Sequence, residues 1–263
     1  MADVGADSPP PSPFPWRLYG AELLGTALLV AVGLSIVIVA FGRGSPVPGW
    51  LPDAAGRRCL TGFLFGLTGA AIAVSPLGKE SGAHINPVVS VAFWRMSRLR
   101  AGHTLGYVVS QCLGAALGAV PLLLWRGMGR SVNFGATVPG AAFGPAEALA
   151  GEILTTFAMV FLLFLFLRHP RLKRFTPALF PPLYAVMVGL EAPLSGTSTN
   201  PARSLGPALI AGVWQGGWIY WLGPLLGALL AVAAHRSPRI RLGELEVAKL
   251  YHFAHDRYGV FRF

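Results

Sequence analysis

Residues 81–90 read Ser81-Gly82-Ala83-His84-Ile85-Asn86-Pro87-Val88-Val89-Ser90, and residues 195–204 read Ser195-Gly196-Thr197-Ser198-Thr199-Asn200-Pro201-Ala202-Arg203-Ser204. Both stretches place a serine and a glycine ahead of an Asn-Pro pair at the same interval, and both carry a serine on the following turn. Asparagine is a strong helix N-cap and proline is favoured at the first helical position, so each pair predicts a helix with a defined start. The apolar segments that follow, 86–96 and 200–211, hold about 11 or 12 residues, which at 1.5 Å per residue is roughly 16 to 18 Å, half of a hydrocarbon layer about 30 Å thick.

Longer apolar runs surround these two. Segments 19–41, 59–77, 103–125, 147–168, 176–192 and 216–234 predict six spans, the fifth being short and flanked by Pro177, Pro181 and Pro182. The chain has 263 residues, 54% hydrophobic and 12% charged, against roughly a quarter charged in a soluble domain. That apolar excess needs lipid. A net charge of +10 would suggest nucleic acid in a soluble protein, but the basic residues sit in short loops between apolar runs, where they set membrane orientation. Lys79, Arg95, Arg98, Arg100, Arg168, Arg171, Lys173, Arg174, Arg236, Arg239 and Arg241 fall on one side, against Arg43, Arg57, Arg58, Arg126 and Arg130 on the other. The richer side reads as cytoplasmic, with both termini there. The Pro-rich, acidic residues 1–17 read as a disordered leader rather than a cleaved signal peptide. Cys59 and Cys112 read as buried packing residues with no metal or disulfide spacing.

The halves repeat. Glu22-Leu23-Leu24-Gly25-Thr26 opens the first span and Glu152-Ile153-Leu154-Thr155-Thr156 the fourth; Gly114 and Gly118 are answered by Gly223 and Gly227. Three spans per half is odd, so the halves run in opposite directions. The functional site of an inverted repeat lies near the midplane, where broken helices meet. The expected organisation is a first repeat over 18–130 with half-helix 86–96, a second over 145–235 with half-helix 200–211, and a C-terminal tail over 236–263.

Six spans, an inverted repeat and two Asn-Pro half-helices resemble the major intrinsic protein family, the aquaporins and aquaglyceroporins, over residues 18–235. The first signature departs in having Val88 where the family usually has alanine; the second, Asn200-Pro201-Ala202-Arg203-Ser204, is intact. The resemblance implies the all-α aquaporin fold and a passive pore for water, assembled as a homotetramer in the plasma (inner) membrane. It requires no cofactor, metal or nucleic acid, and its partners are water, small neutral solutes and lipid. It implies that Asn86, Pro87, Val88 and Asn200, Pro201, Ala202 meet at the pore centre. The carbonyls of Gly82, Ala83, His84, Ile85, Gly196, Thr197, Ser198 and Thr199 would form a ladder for permeating water. It further implies that Phe65, Val188, Thr197 and Arg203 form the selectivity filter, and that Glu22 and Glu152, with Gln111, accept hydrogen bonds from the re-entrant loops.

The solute markers split. Val188 stands where strict water channels usually have histidine, which widens the filter. Ser204 and Ala208 replace the acidic and basic residues of glycerol channels, and Tyr220-Trp221 is the aromatic pair of water channels. A glycerol-, urea-, ammonia- or peroxide-conducting channel is therefore the alternative. An inverted-repeat secondary transporter is the alternative from another class, although Glu22, Glu152 and Glu191 have no evident ion-coupling partner. The residues contain no nucleophile–base set, metal-ligand cluster or phosphate loop to suggest an enzyme. His84 could titrate near neutrality, and Val88 adds bulk where the half-helices touch.

Overall fold

The computed structural model describes residues 14–239, 242–251 and 255–261, and among these every regular element is helical. Six helices are long and apolar enough to cross a membrane: α1 (Trp16–Phe41), α2 (Ala54–Val74), α4 (Ala101–Ala119), α5 (Pro145–Arg168), α6 (Thr176–Ser195) and α8 (Ile219–Arg236). A 3-10 segment, Val120–Trp125, prolongs α4. Between the spans lie two half-helices, α3 (Pro87–Arg95) and α7 (Pro201–Ala211). Of the expected leader, residues 1–13 lie outside the described residues, as does Arg241; Trp16 and Arg17, which the expected leader included, belong to α1.

The halves interlock. Within each half the first span packs on the third (α1 on α4, α5 on α8), while the second spans α2 and α6 pack on one another across the halves. Each half-helix also packs on the third span of the other half, α3 on α8 and α7 on α4. Small residues make these approaches possible. A Cβ on Gly62 would lie 2.2 Å from the Tyr184 carbonyl oxygen, and one on Gly227 would lie 2.4 Å from that of Ile153. The outward faces carry leucines such as Leu28, Leu67, Leu113, Leu154 and Leu230, all exposed on the single chain, as lipid contact requires. Cys59, expected to be buried, is exposed on α2. Only its sulfur is inserted, lying where a Cβ on Gly189 would come within 2.6 Å.

Asp53 caps α2 from outside the span, accepting from Gly56 N at 2.6 Å and Ala55 N at 3.3 Å. These backbone donors, the Gly56 bond foremost, hold its carboxyl below the ordinary aspartate range. A depressed folded pKa contributes stability above the unfolded value, about 3.9, that is lost as pH falls through the folded one. Asp53→Ala is therefore expected to lower the thermal midpoint slightly at pH 7, and the difference from the parent should shrink progressively in melts as pH falls below about 3.9.

Candidate functional site

The re-entrant loops are built alike. Gly82 and Gly196 end the preceding helices in the left-handed conformation, at φ 84° and 89°. Two residues in each loop that are not glycine also have positive φ: Ala83 and Ile85 at 51° and 42°, Thr197 and Thr199 at 50° and 52°. Branched residues rarely adopt this region, and it persists only where surroundings over-determine it.

Those surroundings are a buried carboxylate in each half. Glu22 accepts from His84 N (2.9 Å), Ile85 N (2.7 Å), Ser81 Oγ (2.6 Å) and Gln111 Nε2 (2.7 Å). Glu152 accepts from Ser198 N (2.6 Å), Thr199 N (2.8 Å) and Ser195 Oγ (2.6 Å). Tyrosines on the third spans complete the brace: Tyr107 Oη donates to Ser81 O and Tyr220 Oη to Ser195 O, at 2.7 and 2.8 Å. In the register that pairs Tyr107 with Tyr220, and Gly114 against Leu23 O with Gly227 against Ile153 O, four residues from the glycine pairing expected from sequence, Gln111 falls opposite Pro224. There Glu191 takes part instead, its Oε1 lying 2.5 Å from Ser195 Oγ.

Asn86 and Asn200 cap α3 and α7. Asn86 Oδ1 accepts from Val88 N, and Asn200 Oδ1 accepts from Ala202 N and Arg203 N. Each amide also crosses to the opposite loop: Asn86 Nδ2 donates to Thr199 O at 2.9 Å and Asn200 Nδ2 to Ile85 O at 2.8 Å. Val88 is buried beside them without breaking either bond. Both amides line a constriction of about 40 Å³, together with His84, Phe65 and Tyr184.

A wider cavity of about 240 Å³ shares Phe65 and Tyr184 with this constriction and is lined by Val188, Thr197 and Arg203. The four residues expected to form a filter thus border one space. Arg203 is buried, donates from Nη1 to Gly135 O at 3.0 Å, and lies 6.0 Å from the Phe65 ring centre. Sequence reasoning missed Tyr184, which lines both spaces and bonds Thr199 Oγ1 at 2.9 Å. It also missed the Gly135 carbonyl. A tyrosine four residues before Val188, one helical turn away, was the available signal for the first; a bare carbonyl offers none.

Two broken helices meeting tip to tip inside a six-span inverted repeat define a membrane channel. The model of the family described as "Major intrinsic protein" matches residues 11–235, and the chain belongs to that family. It is 34% identical over 221 residues to the probable aquaporin TIP4-1 of Oryza sativa subsp. japonica, spanning 80% of this chain and 86% of that one. It is 33% identical over 222 residues to aquaporin-4 of Mus musculus, spanning 84% of this chain and 66% of that one. The X-ray structure of the aquaglyceroporin from Plasmodium falciparum shares the fold, with a TM-score of 0.68, 18% identity, and coverage of 84% of this chain and 96% of that one.

Proposed function

We propose that the chain is a passive transmembrane channel for water that also admits small neutral solutes. The paired asparagines carry this reading. An amide NH2 has two hydrogens. One on each asparagine is held by the opposite loop, and the other is available to an oxygen in the constriction. A space of about 40 Å³ is small but large enough to hold water. The N-termini of α3 and α7 add partial positive charge at the same point. Water is oriented oxygen-first, and cations meet the barrier generally ascribed to aquaporin-type pores. The loop carbonyls form the acceptor ladder, and Phe65, Val188, Thr197 and Arg203 form the filter.

The wider solute range rests on Val188, which presents no hydrogen-bond donor to the larger cavity. In stopped-flow light scattering on proteoliposomes, water flux should far exceed that of empty vesicles, with glycerol and urea flux measurable. Val188→His should reduce glycerol and urea flux at least about tenfold while leaving water within about threefold, the scale on which pocket size discriminates. Solute flux indistinguishable from empty vesicles before and after the substitution would remove the wide-filter reading. Flux that depends on an ion gradient would favour a transporter.

We further propose that the chain resides in a plasma (inner) membrane as a homotetramer with a pore in each subunit, by analogy with the family. Both termini would be cytoplasmic, on the side of Lys79, Arg98, Arg168 and Lys173.

A further inference from the structure

We propose that the C-terminal stretch 242–251 is a built-in, releasable plug that throttles one mouth of the pore, leaving flux above that of empty vesicles but below that of the open channel, with Leu250 as the inserted residue and Lys249 as its anchor. The proposal rests on the water-channel reading above.

Leu250 lines the same constriction as Asn86, Asn200 and His84, and is 4% exposed. Its backbone N–H donates to Gly82 O at 3.0 Å, so the plug occupies one of the carbonyls assigned to the water ladder. Ala248 O in turn lies 2.9 Å from His84 Nε2, so the loop imidazole is engaged as well. The fit is close, because a Cβ on Gly82 would come within 2.7 Å of Ala248 O.

The neighbouring lysine holds the plug in place. Lys249 is 1% exposed, donates from Nζ to Lys79 O at 2.8 Å and to His255 O, and lies 4.5 Å from the Phe261 ring centre. Leu245, Ala248, Val260 and Phe261 of the same region are buried as well. A lysine is almost never fully buried without partners, so this is a folded strap and not a solvated tail.

The strap is tied to the rest of the chain at its rim. Lys173 pairs with Glu246 at 2.8 Å, Arg98 with Glu244 at 3.6 Å, and His255 Nε2 lies 3.2 Å from Glu80 Oε2. Arg168 Nε donates to Gly243 O at 2.8 Å. The side chains of Glu244 and Glu246 are 91% and 51% exposed, and exposed ion pairs are weak and screened by salt. The core of the plug is therefore well fitted while its outer ties are easily broken, which is the combination a releasable closure needs.

The test uses full-length chains in liposomes with water flux measured per reconstituted channel. Lys249→Ala/Leu250→Ala removes the anchor and the inserted side chain, and should raise water flux several-fold. A second variant, Glu80→Cys/His255→Cys with Cys59→Ser and Cys112→Ser, is joined through two disulfides by a short bifunctional methanethiosulfonate, whose length spans the gap left by the two side chains, and so ties the strap down independently of whether the first variant folds. Its flux should be low when cross-linked and rise on reduction. Equal, fast flux in the parent, in the double alanine variant and in the cysteine variant under both conditions would overturn the plug while leaving the water-channel reading standing. Folded protein that passes no water in any of these forms would overturn both.

Discussion

Glu152→Gln is expected to reduce water flux to the level of empty vesicles and to lower the thermal midpoint in detergent. Both oxygens of Glu152 face donors, Ser195 Oγ and Ser198 N on Oε1 and Thr199 N on Oε2. An amide turned either way sets an NH2 against at least one of them. A buried backbone N–H left without an acceptor costs about 1–3 kcal/mol. The loss falls on a loop whose Thr197 and Thr199 are held at positive φ, conformations that cost of order 1–3 kcal/mol each and survive only under constraint. The loop should relax, taking Asn200 out of place. Glu22→Gln should behave similarly, since Glu22 satisfies two backbone and two side-chain donors. Wild-type flux from either variant would show that the carboxylates do not shape the loops.

Arg203→Ala is expected to raise glycerol and urea permeability about tenfold, the worth of one charge-assisted hydrogen bond together with the space vacated. Arg203 joins the α7 cap to the Gly135 carbonyl and faces Phe65 across the wider cavity. Alanine keeps the backbone N–H that Asn200 caps, so α7 should remain and water should still pass. Comparing water, glycerol and urea in the same vesicles separates widening from collapse. Unchanged solute flux with normal water flux would mean that the limiting cross-section lies at the asparagines and not at Arg203.

Much of this architecture is legible in the residues. Hydropathy marks the six spans, and Asn86-Pro87 and Asn200-Pro201 mark helix starts too short to cross. The repeat of Glu22 at Glu152 points to paired supports, because an isolated carboxylate in a span needs a partner. Other features leave no such trace. The acceptor of Arg203 is a backbone carbonyl, and every residue has one. The capping role of the asparagines follows from their neighbours in sequence, but their bonds to the opposite loops depend on the halves being antiparallel and meeting tip to tip. The strap is the least legible part. Leu245, Leu250, Val260 and Phe261 follow neither a helical nor a strand period, and their burial depends on a mouth shaped by distant residues. Cys59 shows the reverse limit: its residue type argued for burial, yet it is exposed on α2 with its sulfur against Gly189.

The crossed bonds of Asn86 and Asn200 bear on how the protein is made. Asn86 donates to a carbonyl that lies 113 residues further along the chain. A ribosome therefore releases the first loop well before its acceptor exists. Until then that amide has only water or its own loop to bond, and an unpaired polar group is costly in dry lipid. The first loop should remain wet, or shielded by the insertion machinery, while the later spans are threaded. Docking of both loops is then the closing event of biogenesis. A nascent chain interrupted midway would lack the acceptor and donor of the second loop, and so the constriction they form together.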